Sequence, residues 1–310
     1  MNDFSRRTAL KSAAVVAGVT GAGGVAAGRA GRRVTTYVFV TGANGGLSAD
    51  AELVLRGHRT VAVELPGHLA TDEQFRSAYQ VPQDTEALAT APSVMAKITL
   101  DDYAAATVAT VRRAAKHGPV ILVGGSMGGA TITKAANEVP DLIDRLVYDS
   151  AFCCTKLPSP EAYLATPEGK PSQIGAILGG VAADPRVIGA IRINWRLADP
   201  KFLGPLKAAL MADSSEAEFM AMLNGSLPDD SLHIGSADAR GRKETWGRVP
   251  RTYIRHTEDR VIPSALQNRM IKEADSLTPR NRFDVRTVRT AHAPSRAAWK
   301  QIVDILDDLA

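Results

Sequence analysis

From Thr35 onward the chain alternates short apolar runs with segments of helical period. Residues 35–40 ("TTYVFV") and 59–65 ("RTVAVEL") read as strands, with a helix over 49–56 between them. "LDDYAAATVATVRRAAKHG" places alanines and valines on one face, has Asp101 and Asp102 in its first turn, and stops at Gly118-Pro119, so a helix is expected. "VILVG" is a continuous apolar run of the kind buried on both faces of a parallel sheet. A helix over "ATITKAANEV" and a strand over "DRLVYDSAF" follow. The rhythm resumes at "RTYIRHTED" (strand), "SALQNRMIKEA" (helix), "RFDVRTVRTA" (strand) and "RAAWKQIVDILDDLA" (closing helix). Strands alternating with helices predict a mostly parallel, doubly wound α/β sheet.

Two segments break this pattern. Residues 155–245 are punctuated by Pro and Gly and predict helices at "AYLA", "PKFLGPLKAALM" and "SEAEFMAMLNG". Sheet strands bracket this stretch and no low-complexity linker sets it apart, so it reads as a helical cap on a domain spanning 31–310. Residues 1–30 form the other break. Arg6-Arg7 precede a glycine-rich, mildly apolar run, the n- and h-regions of a signal peptide, and the arginine pair points to the twin-arginine route. Cleavage is expected after Ala27 or Ala30. The run is too interrupted to span a membrane. The expected destination is the periplasm or the exterior, and the precursor's expected partner is the twin-arginine export machinery.

This leader changes how the charge reads. The 310 residues carry a formal net charge of +4. Arg6, Arg7, Lys11 and Arg29 against Asp3 give the leader +3 and leave +1 for the remainder. Basic residues recur singly without interleaved aromatics, so no nucleic-acid partner is expected. With 45% hydrophobic and 23% charged residues, the chain suffices for one large domain with a full core. Its two cysteines, Cys153 and Cys154, are adjacent. That spacing suits neither a disulfide framework nor a zinc site, and they read as small packed residues at a strand end. No metal is expected.

The chemistry lies in "VILVGGSMGGATITK". Gly124-Gly125-Ser126-Met127-Gly128 is a G-x-S-x-G placed between a predicted strand and a predicted helix, the context that gives the motif meaning. Such a turn lifts the Ser126 hydroxyl clear of the sheet and aims the Met127 N–H at an oxyanion. A nucleophilic serine needs a base and an orienting acid, here in the order Ser, acid, His. His292 follows the last predicted strand, where a loop can bring its imidazole to Ser126. His58 and His117 sit at helix ends, His68 in an early loop, His233 in the cap and His256 within a strand, and all fit worse. Asp259 closes "YIRHTED" at the end of a strand and is the preferred acid. Glu258 and Asp149 compete with it.

"YVFVTGANGGLSAD" admits two readings. A glycine turn after the first strand donates a second oxyanion N–H in a serine hydrolase, and Ala43 is placed for it, with Gly42 and Gly45 permitting close approach. The same turn, with Glu64 beyond, resembles a short-chain reductase fingerprint that would bind NAD(P). Its third glycine would fall at Ser48, and no tyrosine has a lysine four residues on. A non-catalytic binding protein on a hydrolase scaffold is the other alternative.

Together these residues resemble the α/β-hydrolase superfamily, and within it the group of methylesterases and hydroxynitrile lyases best known from plants, with bacterial relatives. "GHRTVAVELPGH", "WGRVPRTYIRHTEDRVIPSALQNRMI" and "AHAPSRAAWKQIVDIL" carry the likeness, which spans roughly 34–151 and 244–310 and is weak in the cap. The resemblance implies a triad of Ser126, Asp259 and His292, with oxyanion N–H groups from Ala43 and Met127. Thr41 stands where the group usually has His, and Gly125 where His commonly precedes the nucleophile. The lyases place Thr where this chain has Gly42, and Lys where it has Ala293. Both absences favour ester hydrolysis. The sequence therefore leads to an exported carboxylesterase acting on a small-molecule ester, with no cofactor.

Overall fold

The computed structural model describes residues 33–310, so the expectations on residues 1–30 lie outside the described residues. Among the described residues six strands form one sheet in the order β2-β1-β3-β4-β7-β8, every neighbouring pair parallel. They are β1 (Thr36–Val40), β2 (Arg59–Ala62), β3 (Val120–Gly125), β4 (Arg145–Asp149), β7 (Arg251–His256) and β8 (Asp284–Val288). The strands are shorter than the apolar runs suggested. β2 stops at Ala62 and β4 at Asp149, because the chain turns out of the ladder there to build the edge that carries the chemistry.

Helices cover both faces. α3 (Leu100–Ala114) and α4 (Gly128–Glu138) pack on one face, and α1 (Ala51–Leu55) and α11 (Arg296–Asp308) belong to the other. α1, α3 and α11 use caps visible in the sequence. Thr99 and Asp102 form a reciprocal capping box on α3, and Ser295 accepts the Ala298 N–H at the start of α11. α2 (Thr85–Thr90) lies in the stretch before α3, and α10 (Ser264–Leu277) links β7 to β8. β3 is buried throughout apart from Gly125, because it is a central strand covered on both sides.

Between β4 and β7 lies the insertion. It holds the short helices α5 (Pro160–Leu164), α6 (Gly175–Leu178) and α7 (Pro185–Ile188), then α8 (Pro200–Leu210) and α9 (Glu216–Gly225). The helical expectation needs one correction. β5 (Ala190–Arg192) and β6 (Asp229–Ser231) pair antiparallel as a two-stranded ribbon. The "DDS" of β6 has no apolar alternation, so no sequence period announced it. Arg192 holds it instead: its guanidinium makes two charge-assisted bonds to Asp229, at 2.6 and 2.7 Å, and donates to the Leu88 and Ala91 carbonyls of α2 and its end. The ribbon is thereby fixed to the main body. Among the described residues no helix is long and apolar enough to cross a membrane.

Candidate active site

At the end of β3 the chain turns sharply into α4, and Ser126 takes φ +50. That left-handed conformation is costly for a non-glycine residue and persists only where the surroundings enforce it. Here the Ser126 N–H donates to the Asp149 carbonyl, and the Ser126 carbonyl accepts from Gly129 and Phe152. Glycine is required on either side. A β-carbon at 124 would lie 2.8 Å from the Gly128 carbonyl oxygen, and one at 128 would lie 2.6 Å from the Val40 oxygen. The turn therefore presses against the end of β1.

The three residues singled out by motif and order come together. His292, in the loop between β8 and α11, places Nε2 3.0 Å from Ser126 Oγ and Nδ1 2.7 Å from Asp259 Oδ2. Asp259 lies just past β7. Its Oδ1 accepts the Val261 and Ile262 N–H groups at 2.7 and 2.8 Å, and its Oδ2 also accepts the Ser150 hydroxyl at 2.5 Å. Burial alone would raise its pKa. The charge and hydrogen bond of His292, with the Ser150 and Ile262 donors, outweigh burial and hold it below the ordinary carboxylate value. An ionised Asp259 can only accept, so Nδ1 carries the proton and the Nε2 lone pair faces the serine hydroxyl.

Asp149, the competing acid, faces another histidine. His256 Nε2 lies 2.9 Å from Asp149 Oδ1, and His256 Nδ1 lies 3.0 Å from the Ala291 carbonyl. A carbonyl cannot donate, so Nδ1 must be protonated. If Asp149 is ionised, Nε2 must be protonated as well, and the pair is imidazolium against carboxylate. Burial would lower the pKa of His256, but the Asp149 charge and hydrogen bond prevail and raise it. In the sequence His256 reads only as a histidine within a strand. It is packed, and it also holds the backbone beside His292. Glu258 pairs with Arg289 on the surface. His58 pairs with Asp307, His68 with the Gly45 carbonyl and the Tyr103 hydroxyl, and His233 with the Ala96 carbonyl, so none of these faces Ser126.

The glycine turn after β1 lies directly against the serine. A β-carbon at Gly42 would sit 2.9 Å from Ser126 Cβ, and one at Gly45 only 1.8 Å from Thr41 Oγ1. Ala43 and Met127 both line the cavity over Ser126. Among the described residues neither of their N–H groups has a hydrogen-bond acceptor, which leaves both available to a bound oxyanion. The cavity measures about 540 Å³. The cap supplies Ile174, Ile177, Trp195, Leu210 and Met222 to its wall, and among the described residues no lysine or arginine lines it. Cys153 and Cys154 are free thiols in the core, and burial pushes Cys153 up to about 12, which keeps it protonated and inert.

The alpha/beta hydrolase family model matches residues 37–305, and the chain belongs to that family. A pyrethroid hydrolase from Sphingobium wenxiniae is 25% identical over 290 residues, 89% of this chain and 88% of that protein. An alpha-hydroxynitrile lyase from Arabidopsis thaliana is 27% identical over 209 residues, 65% of this chain and 72% of that protein. The crystal structure of a pyrethroid hydrolase superposes with a TM-score of 0.62 at 22% identity, covering 89% of this chain and 97% of the other, a likeness of fold. The resemblance and fold class read from the sequence hold: this is an α/β hydrolase with relatives of the esterase and hydroxynitrile lyase kind.

Proposed function

We propose that this α/β hydrolase is a serine carboxylesterase that cleaves a small, uncharged ester through an acyl-enzyme. One observation carries the reading: His292 bridges Ser126 and Asp259 within hydrogen-bond distance of both. In this reading Ser126 Oγ attacks the ester carbonyl while His292 Nε2 takes its proton. The N–H groups of Ala43 and Met127 meet the developing oxyanion. His292 then protonates the departing alcohol, and water, activated by the same imidazole, releases the acid. Asp259 keeps the proton of the resting imidazole on Nδ1 and balances the imidazolium charge. A cavity walled on the cap side by apolar side chains, with no lysine or arginine among its described lining residues, suits a neutral substrate and does not favour a free carboxylate.

The lyase relative makes cyanohydrin cleavage the reaction to distinguish. Position 42 has no room for a side chain beside Ser126, and Ala293 brings no ammonium to the cavity wall, so hydrolysis is favoured. A fluorophosphonate probe tests the nucleophile. It should label Ser126, and Ser126→Ala should lose several orders of magnitude in kcat with its melting temperature retained. A folded wild type that neither labels nor hydrolyses simple esters would favour a binding protein on this scaffold. Tight binding of NADH or NADPH would favour the reductase.

For residues 1–30 the proposal is a twin-arginine signal that delivers the domain to the periplasm or beyond. Replacing Arg6 and Arg7 together by Lys should leave full-length precursor in the cytoplasm, as read by fractionation and blotting. Undiminished mature protein outside the cytoplasm would reject that route.

A further inference from the structure

We propose that the cap braces the catalytic loops as well as roofing the cavity, and that Asp230 and Asp213 are its two positioning residues. This rests on the serine-esterase reading.

The first brace holds the turn that carries Ala43. The Gly45 N–H donates to the Gly42 carbonyl at 3.2 Å and closes a four-residue turn, with Asn44 in its third position at φ +55. Positive φ there belongs to the type II turn, which differs from type I by a flip of its central peptide. The Asn44 N–H, part of that central peptide, donates to Asp230 Oδ2 at 2.6 Å. A flipped peptide would turn the Ala43 carbonyl toward the Asp230 carboxylate. Two further bonds tie Asn44 to the same segment of the cap: its Nδ2 donates to the Leu227 carbonyl at 2.9 Å, and its carbonyl accepts the Leu227 N–H at 2.8 Å. Asp230 is 7% exposed, a buried carboxylate with no arginine or lysine bonded to it among the described residues, and its backbone N–H donors from Asn44 and Ser231 account for it.

The second brace holds the loop that carries His292. β8 ends at Val288 and α11 begins at Arg296, so the imidazole sits mid-loop. Asp213, between α8 and α9, accepts the Ala291 N–H on Oδ1 at 3.1 Å and the Thr290 hydroxyl on Oδ2 at 2.8 Å. On the other side of His292, the Ala293 N–H donates to the Leu210 carbonyl at 2.8 Å, at the end of α8. The cap thus grips the chain immediately before and after the base. In-line proton transfer tolerates little error in that position.

The two carboxylates make separable predictions because their partners differ. Both Asp230 oxygens receive backbone N–H groups, from Asn44 and Ser231. Asn at 230 would turn its own amide hydrogens against one of those N–H groups. Asp213 faces one N–H and one hydroxyl, and the Thr290 hydroxyl can reverse and accept from an amide. Asp213→Asn should therefore rescue what Asp213→Leu loses, whereas Asp230→Asn should not rescue Asp230→Leu.

The experiment measures kcat and KM for a simple ester, with affinity for a trifluoromethyl ketone that forms a tetrahedral adduct and a thermal melt for each variant. Asp230→Asn and Asp230→Leu should lower kcat by about 10- to 100-fold, the range of a lost charged hydrogen bond, with KM nearly unchanged and ketone affinity falling in parallel. Asp213→Leu should lower kcat by about 10-fold and Asp213→Asn by no more than about twofold. If the variants at 230 melt below the assay temperature, Asn44→Gly decides for that turn, since it removes the side-chain strap without straining φ; Thr290→Val serves the His292 loop in the same way. Wild-type kinetics in Asp230→Asn, equal loss in Asp213→Asn and Asp213→Leu, or a rise in KM alone would overturn the brace. A wild type inert toward esters and fluorophosphonate would instead bring down the esterase reading itself.

Discussion

Two aspartates near Ser126 compete for one task, and their partners separate them. Asp259 holds His292 Nδ1, while Asp149 holds His256. Asp259→Asn removes the carboxylate that fixes the tautomer, so kcat should fall by about 10⁴-fold at neutral pH. Asp149→Asn leaves His292 and its acid in place and should cost far less. Steady-state kinetics on both variants checks the order, and the reverse ranking would transfer the orienting role to Asp149. Chain order and strand-end position had favoured Asp259, and both are legible in the sequence. The partner of Asp149 was not. His256 lies on the same face of β7 as Ile254, and the alternation of "RTYIRH" shows that much, but a strand period says nothing about what lies 107 residues away.

At the scale of elements, the strands and long helices followed their periodicity, while the β5–β6 ribbon did not. Its stability comes from a buried ion pair between partners in register, Arg192 and Asp229, rather than from an apolar stripe. Removing one partner strands the other charge in a site where Arg192 is 0% exposed. Arg192→Met should therefore destabilise the protein by about 3–5 kcal/mol, visible as a lower urea midpoint. Arg192→Met with Asp229→Leu should recover much of that loss, because the orphaned carboxylate is gone. A double variant no more stable than the single one would mean that the Arg192 bonds to the Leu88 and Ala91 carbonyls, and not the ion pair, carry the energy.

For the whole molecule, the Asp259–His292 and Asp149–His256 pairs define a stability window in pH. The pKa of Asp259 is depressed in the folded state, so its contribution is present above its unfolded pKa, about 3.9, and is lost as pH falls through the folded value. His256 is raised, so its contribution is full below its unfolded pKa, about 6.5, and is lost as pH climbs through the folded value. The melting temperature should fall on both sides of an acidic plateau between about pH 4 and about pH 6.5. His256→Gln, with an amide that can still meet Asp149, should flatten the alkaline side and leave the acid side in place. An unchanged alkaline slope in that variant would assign the loss to another group.

The sequence by itself determined the α/β alternation, the strained serine turn and the chain order of serine, acid and histidine. These depend on near neighbours: backbone sterics at glycine, burial periods of strand and helix, and caps within one turn. The tertiary structure decided which carboxylate meets which imidazole, and it decided that cap aspartates reach the loops of the main body. Ser126 and His292 are 166 residues apart, and Asn44 and Asp230 are 186 apart. Contacts at such separations follow from how the sheet, its crossovers and the insertion pack together, and a local pattern of apolar and polar residues does not encode a partner at that distance.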